Sequence, residues 1–199
     1  YVMQGELDKA LAILDEEPEA KINAEMARAN ILLRKGELDE AEKRYQTGLW
    51  LAARDAAMNL IGLHHTALRR GNKETALELL EQAMEVERVL RVDELDGGAG
   101  SLRLLRAEVL CQEGRLDEAM EDLTGYVEGS LARWAELSGG DGIMSAFYDK
   151  LNVRASGIST AYLARNLRTV LEQGESAGLL GDREDFRALL TRLAELEAK

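Results

Sequence analysis

The sequence predicts an all-α protein, and three observations support this fold class. Leu and Ala are abundant, whereas Pro occurs once in 199 residues and aromatic residues make up 5%, a composition that favours helices over sheets. Apolar residues recur at intervals of three and four along much of the chain, as in amphipathic helices. A short phrase containing glycine separates these apolar runs and recurs along the chain. We therefore expect helices that are joined in pairs by tight turns.

The recurring phrase is Gly-Glu-Leu-Asp-x-Ala or a variant of it. Its copies begin at Gly5, Gly36, Gly71 and Gly114. Glycine ends a helix at little cost where the backbone needs a positive φ, and carboxylates are favourable near the start of the next helix. The spacing is close to a period of about 34 residues, with an insertion in the last interval. Each copy therefore predicts the turn of a helical hairpin.

The residues that flank these turns resemble the tetratricopeptide repeat (TPR) family. That family has an alanine five residues after the turn glycine and a bulky residue four positions further on. The matching pairs are Ala41 and Tyr45, Ala76 and Leu80, and Ala119 and Leu123. A small residue follows three positions later at Gly48 and Ala83, but Tyr126 departs from the pattern. The resemblance covers about residues 1 to 127.

The resemblance implies one domain over residues 1 to 199, built as a right-handed superhelical stack of antiparallel helical hairpins (a TPR-like α-solenoid). Residues 1 to 137 would hold the clear repeats, and residues 143 to 199 a degenerate repeat and a C-terminal capping helix. Because no single hairpin can bury its apolar face alone, neighbouring hairpins must stack. The bulky residue of each hairpin would fill the gap to the next.

The apolar periodicity gives approximate helix bounds. We expect helices at about 6 to 16, 21 to 35, 37 to 49, 53 to 70, 73 to 91, 101 to 113 and 116 to 137. Gly125 and Gly129 lie inside the last of these, where a kink or a close helix contact is expected. Leu163 to Leu171 and Phe186 to Leu196 mark two further helices, and Gly181 begins a worn copy of the turn phrase.

Composition excludes several classes of function. The net charge of −12 and the pI of about 4.8 argue against nucleic-acid binding, which needs clustered Lys and Arg. No apolar run approaches the length of a membrane span.

The single Cys111 cannot form an internal disulfide, and we expect a buried or half-buried thiol. Tyr1 lies just before the first turn, so we expect the start of that hairpin upstream of it. We expect a cytoplasmic protein.

Motifs for chemistry are incomplete. Gly174 to Gly178 spells the Gly-x-Ser-x-Gly elbow of serine hydrolases around Ser176, but a strand should precede the serine and a histidine should follow it. The preceding run is helix-periodic, and both histidines, His64 and His65, lie upstream. Adjacent histidines point about 100° apart on a helix and cannot hold one ion together. Asp96-Gly97 lacks the acidic first and last ligands of a calcium loop. We expect no catalytic residue, no metal and no cofactor.

The resemblance implies a concave groove that is lined by the first helix of each hairpin. The lining positions fall on Asn23, Met26, Asn30, Leu33, Met58, Ile61, His65, Leu68, Ser101, Leu104, Glu108 and Cys111. Packing between helices is an equal alternative for Leu33, Leu68 and Leu104. The candidate partner-binding residues are Asn23, Met26, Asn30, Met58, Ile61, His65, Ser101 and Glu108. Amides can pair with a peptide backbone and methionine adapts to apolar side chains. The Lys and Arg of a carboxylate clamp are missing.

The sequence thus predicts a non-enzymatic scaffold that binds another protein or a peptide in its groove, with no nucleic acid and no membrane involved. The alternative is a TPR sensor or regulatory domain of a larger signalling or transcription-regulating protein. A homo-oligomer formed through the exposed end of the stack is also considered, because the apolar face of a terminal hairpin needs a cover.

Overall fold

The protein is all-α, as predicted. A computed structural model describes residues 5–16, 24–92, 101–138, 147–151 and 159–198, and these residues form nine helices and no strand. The helices are α1 (Leu7–Glu16), α2 (Ala24–Lys35), α3 (Leu38–Arg69), α4 (Lys73–Leu90), α5 (Ser101–Gln112), α6 (Leu116–Ser138), α7 (Thr160–Gln173), α8 (Ala177–Leu180) and α9 (Glu184–Glu197).

The predicted helices at 37 to 49 and 53 to 70 are in fact one helix, and this expectation was wrong. Helix α3 runs without a break for 32 residues, or about 48 Å. The repeat spacing called for a turn near Leu51, but residues 49–53 read Leu-Trp-Leu-Ala-Ala. These residues favour helix and include neither a glycine that could adopt a positive φ nor a proline. The helix therefore continues through the expected turn.

The turn glycines have the predicted conformation. Gly36, Gly71 and Gly114 have φ of +82°, +75° and +75°. At Gly71 the glycine amide donates to the Leu68 carbonyl at 2.9 Å and the next amide donates to the Ala67 carbonyl at 3.0 Å. The same pair of bonds recurs at the other two turns, which is the Schellman arrangement. Gly181, in contrast, has a φ of −57°, so the worn phrase does not form this turn.

Each turn joins an antiparallel pair of helices. We call these pairs the Gly36 hairpin (α2 with the first half of α3), the Gly71 hairpin (the second half of α3 with α4) and the Gly114 hairpin (α5 with α6). A Cβ built on Gly48 would lie 3.6 Å from the Glu25 Cβ, so α2 covers the first half of α3. The ring of His64 lies 3.0 Å from the Ala76 carbonyl, so α4 covers the second half.

The largest core lies among the helices after α4. It includes Leu110, Leu123, Leu171, Phe186 and Leu193, which come from α5, α6, α7 and α9. The last two long helices are therefore packed against the Gly114 hairpin through the residues predicted to mark them. Cys111 is buried in the same core, as expected.

A short segment, residues 147–151, packs against the first half of α3. The Tyr148 side chain is fully buried, and its hydroxyl donates to the Leu90 carbonyl at the end of α4, at 2.6 Å. The Gln46 amide donates to Asp149 Oδ1 at 2.6 Å, and the Gln46 carbonyl oxygen accepts from the Lys150 amide at 2.9 Å. The segment thereby links the first half of α3 to the end of α4.

A buried ion pair lies between α5 and α6. Asp122 is fully buried and accepts hydrogen bonds from Arg106 Nε at 2.6 Å and Nη2 at 2.9 Å. The hydrogen bonds from Arg106 to Asp122 raise the pKa of the guanidinium. Gly125 leaves room beside this pair, because a Cβ there would lie 2.7 Å from Arg103 Nη1. The expected close helix contact is therefore found at Gly125.

The Gly71→Ala variant should be less stable than the wild type by about 1 to 2 kcal/mol, because alanine resists a positive φ. Gly62 is the matched control: it is exposed and helical, and a Cβ there meets nothing within 4 Å. Gly62→Ala should raise stability by up to about 1 kcal/mol. Urea unfolding followed by circular dichroism measures both. Changes of the same sign in the two variants would contradict the proposed role of the turn.

The Asp122→Ala variant should lose about 3 kcal/mol, because it leaves the guanidinium of Arg106 without its buried partner. Glu118 lies on the same helix as Asp122, and Glu118→Ala removes its exposed pair with Arg115. This change should cost less than about 0.5 kcal/mol. The free energy of unfolding from urea titrations compares them. Equal losses of unfolding free energy in the two variants would show that the buried pair contributes no more to stability than the exposed pair.

Candidate functional site

A groove with an apolar lining lies between α2 and the first half of α3. Its volume is about 820 Å³, and its lining includes Met26, Leu33, Leu38, Tyr45, Leu49 and Phe147. We call this cavity the α2/α3 groove. Concave apolar surfaces of this size are the usual places for ligand or partner binding.

The lining of the α2/α3 groove exposes large apolar side chains next to one another. Leu38 is 62% exposed, Met26 52% and Leu33 49%. Single exposed apolar residues are normal on protein surfaces, but a contiguous patch indicates an interaction site. Phe147, from the segment that packs on α3, lines the groove as well.

Comparison of two hairpins explains why the groove is open. In the Gly71 hairpin, Ala76, Leu80 and Ala83 lie five, nine and twelve residues after the turn glycine, and all three are fully buried. Leu102 of α5 packs against Leu80 and Ala83, with Leu105 beside it.

In the Gly36 hairpin the corresponding residues are Ala41, Tyr45 and Gly48, which border the groove. Ala41 is buried as well, but Tyr45 is 36% exposed, whereas its counterpart Leu80 is fully buried. Because α3 continues without a break past its middle, its own second half does not fold back over these residues. The groove is therefore the face of the Gly36 hairpin that corresponds to the face covered by α5 in the next hairpin.

Polar groups form the rim of the groove. The Tyr45 hydroxyl donates to Asn30 Oδ1 at 2.7 Å, which fixes the ring at the groove wall. Arg44 contacts Glu25 at 3.2 Å across the two helices. Lys150 Nζ lies 3.6 Å from both Asp39 and Glu42. These contacts hold the two helices and the 147–151 segment together around the apolar lining.

The candidate residues of α2 lie at this groove. Met26 lines it, and Asn30 lies at its rim through the bond from Tyr45. Asn23 lies outside the described residues. The structure thus brings together two of the predicted residues with apolar side chains that were not among the candidates.

A second group of candidates lies on α3 and α5. His65 is exposed and Glu108 is half-buried. Burial raises the pKa of Glu108, and the carboxylate of Glu175 adds to the rise while His65 opposes it. Glu175 in turn accepts a hydrogen bond from Gln112 Nε2 at 3.1 Å. His65 and Glu108 are therefore near enough to interact electrostatically.

The remaining candidates are dispersed. Met58 is 59% exposed on α3, and Ser101 is exposed at the first position of α5. Ile61 is half-buried and packs against the cluster of Leu80 and Leu102. Ile61 therefore packs between helices, whereas Met58 and Ser101 face solvent.

Sequence reasoning did not select Leu38, Leu49 or Phe147 as candidates. Leu38 is the leucine of the turn phrase that begins at Gly36, and it begins α3. Because this leucine recurs in the phrase, it was assigned to the turn and not to a binding surface. Leu49 falls where a turn was expected, and Tyr45 was assigned to the gap between hairpins. Had α3 been predicted as one helix, the exposure of this face would have followed. We found no sequence signal for Phe147.

His64 has a structural role. It is buried, and its Nδ1–H donates to the Ala76 carbonyl at 3.0 Å, while the His65 ring lies 5.0 Å away. Burial lowers the pKa of His64, so the ring is neutral at neutral pH. Across the described part of the chain, no three His, Cys, Asp or Glu side chains are placed to share a metal ion.

Ser176 differs from a hydrolase nucleophile in its surroundings. It follows helix α7 and precedes the four-residue helix α8, and the residue is 1% exposed.

In the described ranges no helix combines the length and hydropathy of a bilayer-spanning segment.

No protein-family model, curated protein or solved structure matches this chain. Its function must therefore be inferred from its own geometry.

The wild type should lose stability as the pH falls below 6.5, the ordinary pKa of histidine. Above that pH, His64 is neutral in both states and has no effect. Below it, the unfolded chain binds a proton that folded His64 does not, so stability falls by up to about 1.4 kcal/mol per pH unit. His64→Gln, whose amide can donate to Ala76 without titrating, should show a smaller decline.

The control is His65→Gln, which leaves His64 and its bond to the Ala76 carbonyl in place and should therefore keep most of the decline. Urea unfolding at pH 7.5, 6.5 and 5.5 measures all three proteins. Equal declines in the wild type and His64→Gln would show that His64 does not titrate in this way.

Proposed function

We propose that this protein is a non-enzymatic scaffold of the TPR type that binds an amphipathic α-helix of a partner protein in the α2/α3 groove. In this proposal the hairpins form a TPR-like right-handed superhelical stack that α3 interrupts after the Gly36 hairpin. The observation that carries the proposal is the apolar groove beside Tyr45, which is 36% exposed. Its counterpart on the next hairpin, Leu80, is fully buried.

The covered hairpin indicates the shape of the ligand. On the Gly71 hairpin the covering element is helix α5, which presents Leu102 and Leu105 to Leu80 and Ala83. A helix with apolar residues three or four positions apart would fit the open face in the same manner. Binding of such a helix in an apolar groove is a recurring mode of recognition.

The lining also fits this mode. Met26 is a flexible apolar side chain and Leu33 is a branched one. Tyr45 offers an aromatic face, and its hydrogen bond to Asn30 fixes the ring. Thioether and aromatic side chains adapt to partners of varied sequence. The acidic net charge of −12 favours a partner whose polar face is basic, because long-range attraction speeds association.

Binding of this kind involves no catalytic step. The groove is lined mainly by aliphatic, aromatic and thioether groups, and its charged members Glu42 and Arg44 each have an oppositely charged neighbour. Such a lining excludes water from an apolar ligand and offers contact area for it.

A stapled, fluorescein-labelled peptide of residues 101–113 is a suitable probe, because α5 covers the equivalent face. It should bind the protein saturably, as measured by fluorescence anisotropy. Leu33→Glu places a charge in the groove and should weaken binding at least tenfold. Val89→Glu is the matched control, since Val89 is 52% exposed on α4 and lies outside the groove. It should change the affinity less than about twofold.

Circular dichroism and thermal unfolding establish that both variants remain folded. Absence of saturable binding by the wild-type groove, or equal weakening in both variants, would refute the proposed groove. Binding that disappears with Leu33→Glu alone would support it.

A further inference from the structure

Three oxygen atoms surround one side of Gly174, the residue that follows the last residue of α7. A Cβ built on Gly174 would lie 3.2 Å from the Val170 carbonyl oxygen, 3.5 Å from Ser176 Oγ and 3.8 Å from Glu108 Oε1. Val170 belongs to the last turn of α7, Ser176 directly precedes α8, and Glu108 belongs to α5. The three acceptors therefore border the space that a side chain at this position would fill, which we call the Gly174 site.

The backbone does not require glycine at this position. Gly174 has a φ of −67° and a ψ of 153°, a conformation that any residue can adopt. The turn glycines Gly36, Gly71 and Gly114, in contrast, all have a positive φ. What glycine provides at residue 174 is room beside the three oxygen atoms.

Ser176 supplies a buried oxygen atom at the Gly174 site. The residue is 1% exposed, and within the described part of the chain its Oγ has no hydrogen-bond partner. A buried polar atom without a partner is costly. A ligand that donates a hydrogen bond at the Gly174 site would remove this cost.

The charge at the Gly174 site favours a cation. Burial raises the pKa of Glu108, and the carboxylate of Glu175 raises it further. Among the described residues, no Lys or Arg forms an ion pair with Glu108, and His65 is the group that opposes the rise. A cation bound beside Glu108 would favour its ionised form.

The ends of two helices add to the negative potential. Helix α7 ends at the Gly174 site, and Gln112 at the end of α5 donates from Nε2 to Glu175 at 3.1 Å. The C-terminal end of a helix carries a partial negative charge. Lys73 and Arg183 lie near these ends, but each of them pairs with its own carboxylates.

An ammonium group fits these acceptors better than a metal ion or a guanidinium. In the described ranges no three metal-ligating side chains are gathered. A planar guanidinium is best matched to one carboxylate, whereas an ammonium is compact and carries three donors. The Val170 carbonyl accepts from the Gly174 amide at 3.0 Å, and its second lone pair can accept from a ligand.

We propose that Glu108, Ser176 and the Val170 carbonyl bind a primary ammonium group at the Gly174 site. The group belongs to a lysine side chain of a partner protein or to a free alkylamine. The site is separate from the α2/α3 groove. On α3, Tyr45 at the groove and His65 near Glu108 are 20 residues apart, or about 30 Å. The inference therefore does not depend on the proposed function.

An NMR titration of the ¹⁵N-labelled protein with n-butylammonium chloride at constant ionic strength tests the site. The amide signals of Gly174 and Glu175 should shift saturably. n-Butanol has a similar shape without the charge and should bind at least about tenfold more weakly. Nα-acetyl-lysine N-methylamide distinguishes the sources. Tighter binding than that of n-butylammonium identifies a lysine of a partner, and equal or weaker binding identifies a free amine.

Two pairs of variants locate the binding. Gly174→Ala fills the space and should weaken n-butylammonium binding at least about tenfold, whereas Gly178→Ala should change it less than about twofold. Gly178 is the matched control because a Cβ there meets nothing within 4 Å. Glu108→Gln should weaken binding at least about tenfold. Glu78→Gln removes one charge from the exposed side of α4 and should have little effect.

Ser176→Ala separates binding from a structural role. Loss of a buried hydroxyl without a partner should raise the urea midpoint slightly, while n-butylammonium should bind about threefold less tightly. Circular dichroism establishes that all variants are folded. Absence of saturable shifts in the wild type would overturn the proposal, as would equal weakening in Gly174→Ala and Gly178→Ala. So would a Ser176→Ala variant that binds as tightly as the wild type.

Discussion

Continuity of α3 determines how the other helices are placed. An α-helix cannot bend back without a residue that breaks it, and residues 49–53 contain none. The helix therefore keeps α2 on its first half and α4 on its second. As a result, the Gly36 hairpin has a groove beside Tyr45, whereas Leu80 of the Gly71 hairpin is covered by α5.

The fold was predictable from the sequence where local chemistry decides the structure. A positive φ at Gly36, Gly71 and Gly114 is a property of the glycine and its neighbours, so the turn phrase identified those turns. The long α6 followed from its apolar stripe. The continuity of α3 was not predicted, because the repeat spacing indicates a turn at the place where the residues from Trp50 to Ala53 favour helix.

The candidate site was predictable only in part, because exposure depends on which helices pack against each other. Met26 and Asn30 were selected from their positions on α2, and the structure places Met26 in the lining of the groove and Asn30 at its rim. Leu38 and Leu49 gain their exposure from the continuity of α3, which periodicity does not reveal. Phe147 reaches the groove through a contact between residues about a hundred positions apart, and no local pattern encodes that.

The attachment of residues 147–151 to α3 has a consequence for the opening of the molecule. Each helical hairpin is held by contacts near in sequence, whereas Gln46 joins this segment across 103 residues. Structures of this kind open in cooperative units, and a peripheral unit can detach while the rest stays folded. Release of the bonds at Gln46 and Leu90 would carry Phe147 away and widen one side of the groove. Such a local opening would change access to the groove without unfolding the helices.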